Sequence, residues 1–223
     1  MRIACVSDVH CRFRQIPIPP CDVLVVAGDI TWRGEIPVLN DFAEWCSGLL
    51  RDKTVRRSIV AVAGNHDVCF DPRWLETSEA MVETARCILA DAGVVYLEDS
   101  WAEIDGLVFY GSPWTRRFGR WCFATESDED ERRRWSTMPD RIDVLVTHSP
   151  PAGILDWNDS RDARCGSRVL RDLVLRAAPK LHVFGHLHPG RGVATTGATT
   201  FVNAASMDKD FKALPPIVID LIR

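Results

Sequence analysis

Short apolar, β-branched runs recur along the chain, and each stops at a polar cluster. Arg2 to Ser7 ends at Asp8-Val9-His10, Val23 to Ala27 at Gly28-Asp29, and Ile59 to Ala63 at Gly64-Asn65-His66-Asp67. Asp143 to Thr147 ends at His148, and Leu181 to Phe184 at Gly185-His186-Leu187-His188. Continuous apolar runs bounded by Gly or Asp predict strands buried on both faces of a sheet. Between them lie helical stripes: Phe42, Trp45, Cys46 and Leu49 fall at i, i+3, i+4 and i+7, as do Leu170, Leu173, Val174 and Ala177. Glu76 to Ala90 is a third helix, with Asp71-Pro72 as its opening signal. Alternating strands and helices predict layered α/β architecture with its chemistry at the strand carboxyl ends. Val94 to Leu97, Leu107 to Gly111, Thr199 to Asn203 and Ile217 to Ile222 read as more hairpin-like strands that complete a second sheet.

No Ser/Gly-rich tract or internal repeat divides the chain, so residues 1–223 are expected to form one domain. The charge run from Glu126 to Arg134 and the Arg164, Arg168, Arg171 set both read as solvated faces, the latter on one side of a helix. Composition adds bounds. At 223 residues and 46% apolar the chain buries a sizeable core and is not a disordered one. No run approaches the roughly 18 apolar residues of a membrane span, and the first residues lack a signal-peptide pattern, so a cytoplasmic location and no membrane partner are expected. Eight cysteines without C-x-x-C spacing read as reduced thiols. A net charge of −4 and a pI near 5.9 give no general attraction for long nucleic acids.

Five of the six histidines sit just after apolar runs; His182, inside one, reads as structural. Gathered at the strand ends, Asp8, His10, Asp29, Asn65, His148, His186 and His188 offer mixed oxygen and imidazole donors suited to divalent Mn, Fe, Zn or Ni, enough for two cations. In Asp8-Val9-His10 and His186-Leu187-His188 the i, i+2 spacing aims both side chains one way on an extended backbone. Asp29, with two oxygens, can bridge two ions. Glycines before ligands leave the backbone room to approach the site.

The order D-x-H, G-D, G-N-H-[DE], H, G-H-x-H resembles the signature of the calcineurin-like metallophosphoesterases, read here at Asp8 to His10, Gly28-Asp29, Gly64 to Asp67, His148 and Gly185 to His188. G-S-P-W-T (Gly111 to Thr115), H-S-P-P-x-G (His148 to Gly153), K-L-H-V-F-G-H-L-H (Lys180 to His188) and N-A-A-S (Asn203 to Ser206) extend it toward the branch of metallophosphoesterase-domain proteins best known from vertebrate brain and also found in bacteria. Some relatives in that branch lack the first His of G-H-x-H, which this chain keeps.

The resemblance implies an α/β fold, a four-layer α/β/β/α sandwich of two mixed sheets flanked by helices, with a dimetal site at the strand carboxyl ends. It implies that Asp8, His10, Asp29 and His188 hold one metal and Asp29, Asn65, His148 and His186 a second, Mn foremost, with Fe, Zn, Ni or Co as alternatives. It implies that His66 assists the leaving group, supported by Asp67, while a metal-activated hydroxide attacks a small, cyclic nucleotide-like phosphodiester. A phosphomonoesterase, or a nucleotide-binding protein of weak or vestigial activity, fits the same residues. For Trp114 and Arg116 two readings stand: ring stacking on a base and a guanidinium on phosphate, or a packed Trp and a solvated Arg. Asn203 and Ser206 either approach the site or satisfy loop backbone. Oligomeric state is not legible.

Overall fold

The computed structural model describes residues 1–221. In chain order the strands and helices of the first half are β1 (Arg2–Val6), β2 (Cys21–Ala27), α1 (Ile36–Arg51), β3 (Val55–Val62), α2 (Glu79–Asp91), β4 (Val94–Tyr96), β5 (Ser100–Ile104) and β6 (Leu107–Ser112). Then come β7 (Thr115–Arg116), β8 (Ala124–Thr125), α3 (Asp128–Arg134), β9 (Val144–Thr147), β10 (Trp157–Asn158), β11 (Ala163–Arg164) and α4 (Arg168–Ala177). The chain closes with β12 (Leu181–Phe184), β13 (Gly192–Thr196), β14 (Thr199–Asn203) and β15 (Ile217–Asp220); Ile222, the expected end of that last strand, lies outside the described residues.

Two mixed sheets result. The first has the order β15-β1-β2-β3-β4, with β1 to β4 parallel and β15 antiparallel at one edge. The second has the order β13-β14-β12-β9-β6-β5, parallel except for the antiparallel edges β13 and β5. Side-chain alternation divides the core into layers. Ile3, Val25 and Val62 of the first sheet join Phe109, Val146 and Val183 of the second between the sheets. Ala4, Leu24 and Ile59 instead meet the helical layer that includes Phe42 of α1 and Leu89 of α2, and Leu145 and Phe184 meet Leu170 and Val174 of α4. This is the expected α/β/β/α sandwich.

Several details differ from the sequence expectation. Val94–Tyr96 and Ile217–Asp220 belong to the first sheet, not the second, because an apolar run does not record which strand lies beside it. The helix expected from Glu76 begins at Glu79, where Ser78 accepts the Met81 N–H as N-cap. Asp71 opens no helix; its carboxylate takes the Arg73 side chain and the Phe123 N–H. Arg164 lies in β11 and so shares no helical face with Arg168 and Arg171. The acidic α3 is not wholly solvated, since Glu131 is buried against Ser167 and Arg116. All eight cysteines are free, and no helix of the described residues is long and apolar enough to cross a membrane.

Candidate metal centre

Five parallel strands end at one rim of the sandwich. β1, β2 and β3 deliver Asp8 and His10, Asp29, and Asn65 and His66; β9 and β12 of the other sheet deliver His148, and His186 and His188. Backbone bonds lace these loops together: Asp8 N–H donates to Gly28 O at 2.9 Å, His10 N–H to Asp29 O at 3.0 Å, and Gly185 N–H to His148 O at 3.1 Å. The i, i+2 pairs do not lie on extended backbone as expected. Asp8, His10, Asp29 and His186 all adopt left-handed conformations, with φ of 54°, 40°, 54° and 66°. Such non-glycine strain persists where surrounding structure holds it, and it concentrates at functional sites.

The side chains converge. Buried Asp8 accepts the His186 N–H on both oxygens at 3.0 Å, and its Oδ1 lies 3.4 Å from His188 Nε2. Asp29 Oδ1 accepts the His66 N–H at 2.8 Å, leaving Oδ2 3.4 Å from His148 Nε2 and 3.9 Å from His10 Nε2. His148 Nδ1 gives its proton to Ala27 O at 2.8 Å, so Nε2 is its open nitrogen, 3.1 Å from Asn65 Oδ1. Asp8, His10 and His188 can offer ligand atoms within 4.8 Å of one another, as can Asp8, Asp29 and His148, and also His10, Asp29 and His66. His186 joins none of these groups; its ring lies 5.1 Å from His148 and 4.9 Å from Phe118.

This donor set fits divalent cations. Buried His10 Nδ1 has no hydrogen-bond partner among the described residues. A Cβ on Gly185 would collide with Ser7 Oγ and Asp8 Oδ2, and one on Gly64 with Asp29 Oδ1, so both loops press against the carboxylates as only glycine allows. Burial pushes Asp29 up, but the imidazoles of His148, His66 and His10 outweigh it and hold the carboxyl well below the usual range. Burial disfavours charge on His148, yet Asp29 raises its pKa to about 9. Burial, and then His148, push His186 down to about 3. A deprotonated carboxylate beside imidazoles that a cation can strip of protons is the expected chemistry of such a site.

Neighbouring residues show why the loops hold. Asp67, expected beside His66 in a catalytic role, is fully buried: Oδ1 accepts from the Thr31 N–H and hydroxyl, both at 2.8 Å, and Oδ2 from Gly64 N–H at 2.9 Å and Ile30 N–H at 3.1 Å. It clamps the two loops that carry Asp29 and Asn65 rather than facing a substrate. Asn203 satisfies loop backbone, donating to Leu187 O at 2.9 Å and Leu155 O at 3.0 Å. Ser206 likewise donates to Ala204 O. His182 is structural: the Thr147 hydroxyl donates to Ser149 O and therefore accepts from His182 Nε2, 2.8 Å away.

Trp114 does not frame the centre. It is buried, its indole N–H donates to Asp99, and the guanidiniums of Arg73 and Arg134 lie 4.3 and 3.9 Å from its ring centroid. Arg116 lines a cavity beside His186 but is engaged by Asp128 at 2.8 Å and Glu131 at 3.4 Å. The aromatic frame comes from residues that sequence reasoning missed. Trp121 lies 4.1 Å from the His66 ring, and half-exposed Trp32 and Phe211 lie 4.6 and 6.1 Å from His10. The one signal for Trp32 is its place in the loop three residues after Asp29.

Fold and site together define a metallophosphoesterase, and the chain belongs to the calcineurin-like phosphoesterase family, whose model matches residues 1–190. That family comprises metal-dependent phosphoester hydrolases with a dinuclear divalent-metal site. The chain is 35% identical over 237 residues to human metallophosphoesterase domain-containing protein 1, covering 99% of this chain and 71% of that protein. It is also 35% identical over 238 residues to a UPF0046 protein of Caenorhabditis elegans, covering 99% and 81%. Among solved structures, phosphopantetheinyl hydrolase from Mycobacterium tuberculosis superposes with a TM-score of 0.55 at 19% identity, covering 91% of this chain and 88% of that one. A Thermus thermophilus protein gives 0.61 at 12%, covering 92% and 88%; both show likeness of fold alone.

Proposed function

We propose that this chain, acting as one domain, hydrolyses small phosphodiesters of the cyclic nucleotide kind. Asp8, His10, Asp29 and His188 hold one divalent cation and Asp29, Asn65, His148 and His186 a second, Mn foremost. The observation that carries this reading is Asp29 Oδ2, which lies 3.4 Å from His148 Nε2 and 3.9 Å from His10 Nε2, so that one carboxylate oxygen is shared between residues of the two sets. When bound, two such cations supply Lewis acidity toward phosphoryl oxygens and lower the pKa of water to about 7. The protein's own contribution is placement. Ala27 O fixes the His148 tautomer, and the Trp32 carbonyl, 2.8 Å from His66 Nδ1, leaves His66 Nε2 to deliver a proton to the leaving oxygen. Trp32 and Phe211, 5.5 Å apart at the rim, offer apolar faces to a nucleobase. Eight free thiols support a reducing, cytoplasmic setting.

The test is a phosphoesterase panel with metal analysis, comparing bis-p-nitrophenyl phosphate with p-nitrophenyl phosphate under Mn and including 2′,3′- and 3′,5′-cyclic nucleotides. Faster turnover of diesters with two bound metals is expected. A preference for monoesters would replace this reading with the phosphomonoesterase one, and two bound metals without turnover would replace it with a nucleotide-binding role.

A further inference from the structure

A cavity of about 550 Å³ has both Phe118 and His186 in its wall. Its charge is lopsided: Arg116, Arg117, Arg161, Arg164 and Arg168 line it against a single acid, Asp128. In a chain of net charge −4 this is a local concentration of cations. Three of the five are engaged, Arg116 by Asp128 and Glu131, Arg117 by Glu126, and Arg164 by Asp156. Arg161 and Arg168 are exposed and make no side-chain hydrogen bond or ion pair within 4 Å among the described residues, although Arg168 lies near enough to Asp128 to help Arg116 hold its carboxyl below the usual range. A solvated face needs no wall. These two guanidiniums instead border a concave volume that shares His186 with the metal centre, and guanidinium groups are the side chains best matched to phosphate oxygens.

Resting on the phosphodiesterase reading, we propose that this cavity binds a second phosphate carried by the same substrate. The substrate class becomes a small phosphodiester that also bears a terminal phosphate monoester. The diester sits at the metal centre, and Arg161 and Arg168 take the terminal group. Arg116 and Arg164, whose charge their carboxylate partners offset, add N–H donors at fixed positions. A group bound this way before and during the reaction acts on KM and not on kcat.

The test uses thymidine 5′-(p-nitrophenyl phosphate) with and without a 3′-phosphate, assayed with Mn. In the wild type the 3′-phosphate is expected to lower KM at least about tenfold with little change in kcat, tenfold corresponding to about 1.4 kcal/mol. In Arg161→Ala/Arg168→Ala, the ratio of the two KM values should fall to near one. A wild-type ratio near one overturns the proposal, and so does a ratio that survives in the double variant. Inorganic phosphate serves as a third arm. If it inhibits hydrolysis of the simple diester in the wild type but not in the double variant, while the 3′-phosphate confers no advantage, the cavity holds free phosphate and the proposal fails. Equilibrium binding of thymidine 3′,5′-bisphosphate against the 5′-monophosphate separates failure of this proposal from failure of the diester reading. Without turnover, tighter binding of the bisphosphate that is lost in the double variant still supports the subsite, and equal binding overturns it.

Discussion

His66 Nδ1 lies 2.8 Å from the carbonyl oxygen of Trp32, an atom that can only accept. The ring therefore keeps a proton on Nδ1, which leaves Nε2 as the nitrogen that would act in the proposed role. His66→Ala should lose about 10²–10⁴-fold in turnover of diesters with alkoxide leaving groups, and much less with p-nitrophenolate, which needs no proton. Metal content should stay at two ions per chain. A fall in bound metal would instead make His66 a ligand, as its grouping with His10 and Asp29 permits.

Asp67 serves four donors, two on each oxygen. Asn in its place has one acceptor oxygen and turns an NH₂ toward N–H groups. Asp67→Asn should cost about 2–4 kcal/mol, a fall in Tm of roughly 5–15 °C. Thermal unfolding checks this. A variant with wild-type Tm and greatly reduced kcat would return Asp67 to the catalytic machinery.

At Gly185 an added methyl meets Ser7 Oγ and Asp8 Oδ2. Gly185→Ala should bind less than the full complement of metal, with hydrolysis falling in parallel, while far-UV circular dichroism is unaltered. Elemental analysis after gel filtration is the decisive measurement.

Asp71 gives a pH prediction away from the metal centre. Burial pushes its carboxyl up, but the Arg73 side chain and the Phe123 N–H outweigh it and hold the pKa below its usual 3.8. A lowered folded-state pKa contributes stability that is present above the unfolded value and lost as pH falls through the folded one. With half-exposed Arg73 discounted for solvent screening, Asp71→Asn should cost about 1–2 kcal/mol at neutral pH, a Tm gap of roughly 2–8 °C. The gap should hold down to about pH 5 and close below about pH 4, as read by melting curves across that range.

Chelation should abolish hydrolysis and lower Tm, with Mn restoring both. A ligand at a hundred times its Kd adds about 2.7 kcal/mol of stability, which melting curves taken with and without Mn resolve.

Much of the site was legible because a parallel strand buried on both faces carries few polar residues until the chain leaves the sheet, His182 inside β12 being the one histidine that breaks the pattern. Asp8, Asp29, Asn65, His148 and His186 mark five such departures, and the structure brings them to one rim. Edge strands escaped the same reading. Along β5, Trp101 and Glu103 are exposed, so there is no continuous apolar run to find. Sheet membership of β4 and β15 escaped as well, since pairing depends on neighbours that the local pattern does not name. The left-handed turns at Asp8, His10 and His186 are set by loop-to-loop bonds, so the i, i+2 spacing implied an extended backbone that is not there. Trp114 and Trp32 look alike as sequence; what separates them is Asp99 and two guanidiniums packed around the former.

The two sheets contribute to the centre unequally in time as well as in space. β1, β2 and β3 place both carboxylates, Asn65 and His10 within the first 65 residues, while His148, His186 and His188 come from the other sheet, in the last 76. A chain emerging from the ribosome with only β1, β2 and β3 paired would present an acidic, half-built cradle and none of the three later imidazoles, and β15 joins that sheet only after they have been made. With the proposed ligand set, metal capture would report that the second sheet has docked, and would rivet the two halves of the sandwich at the end where their loops alone otherwise hold them.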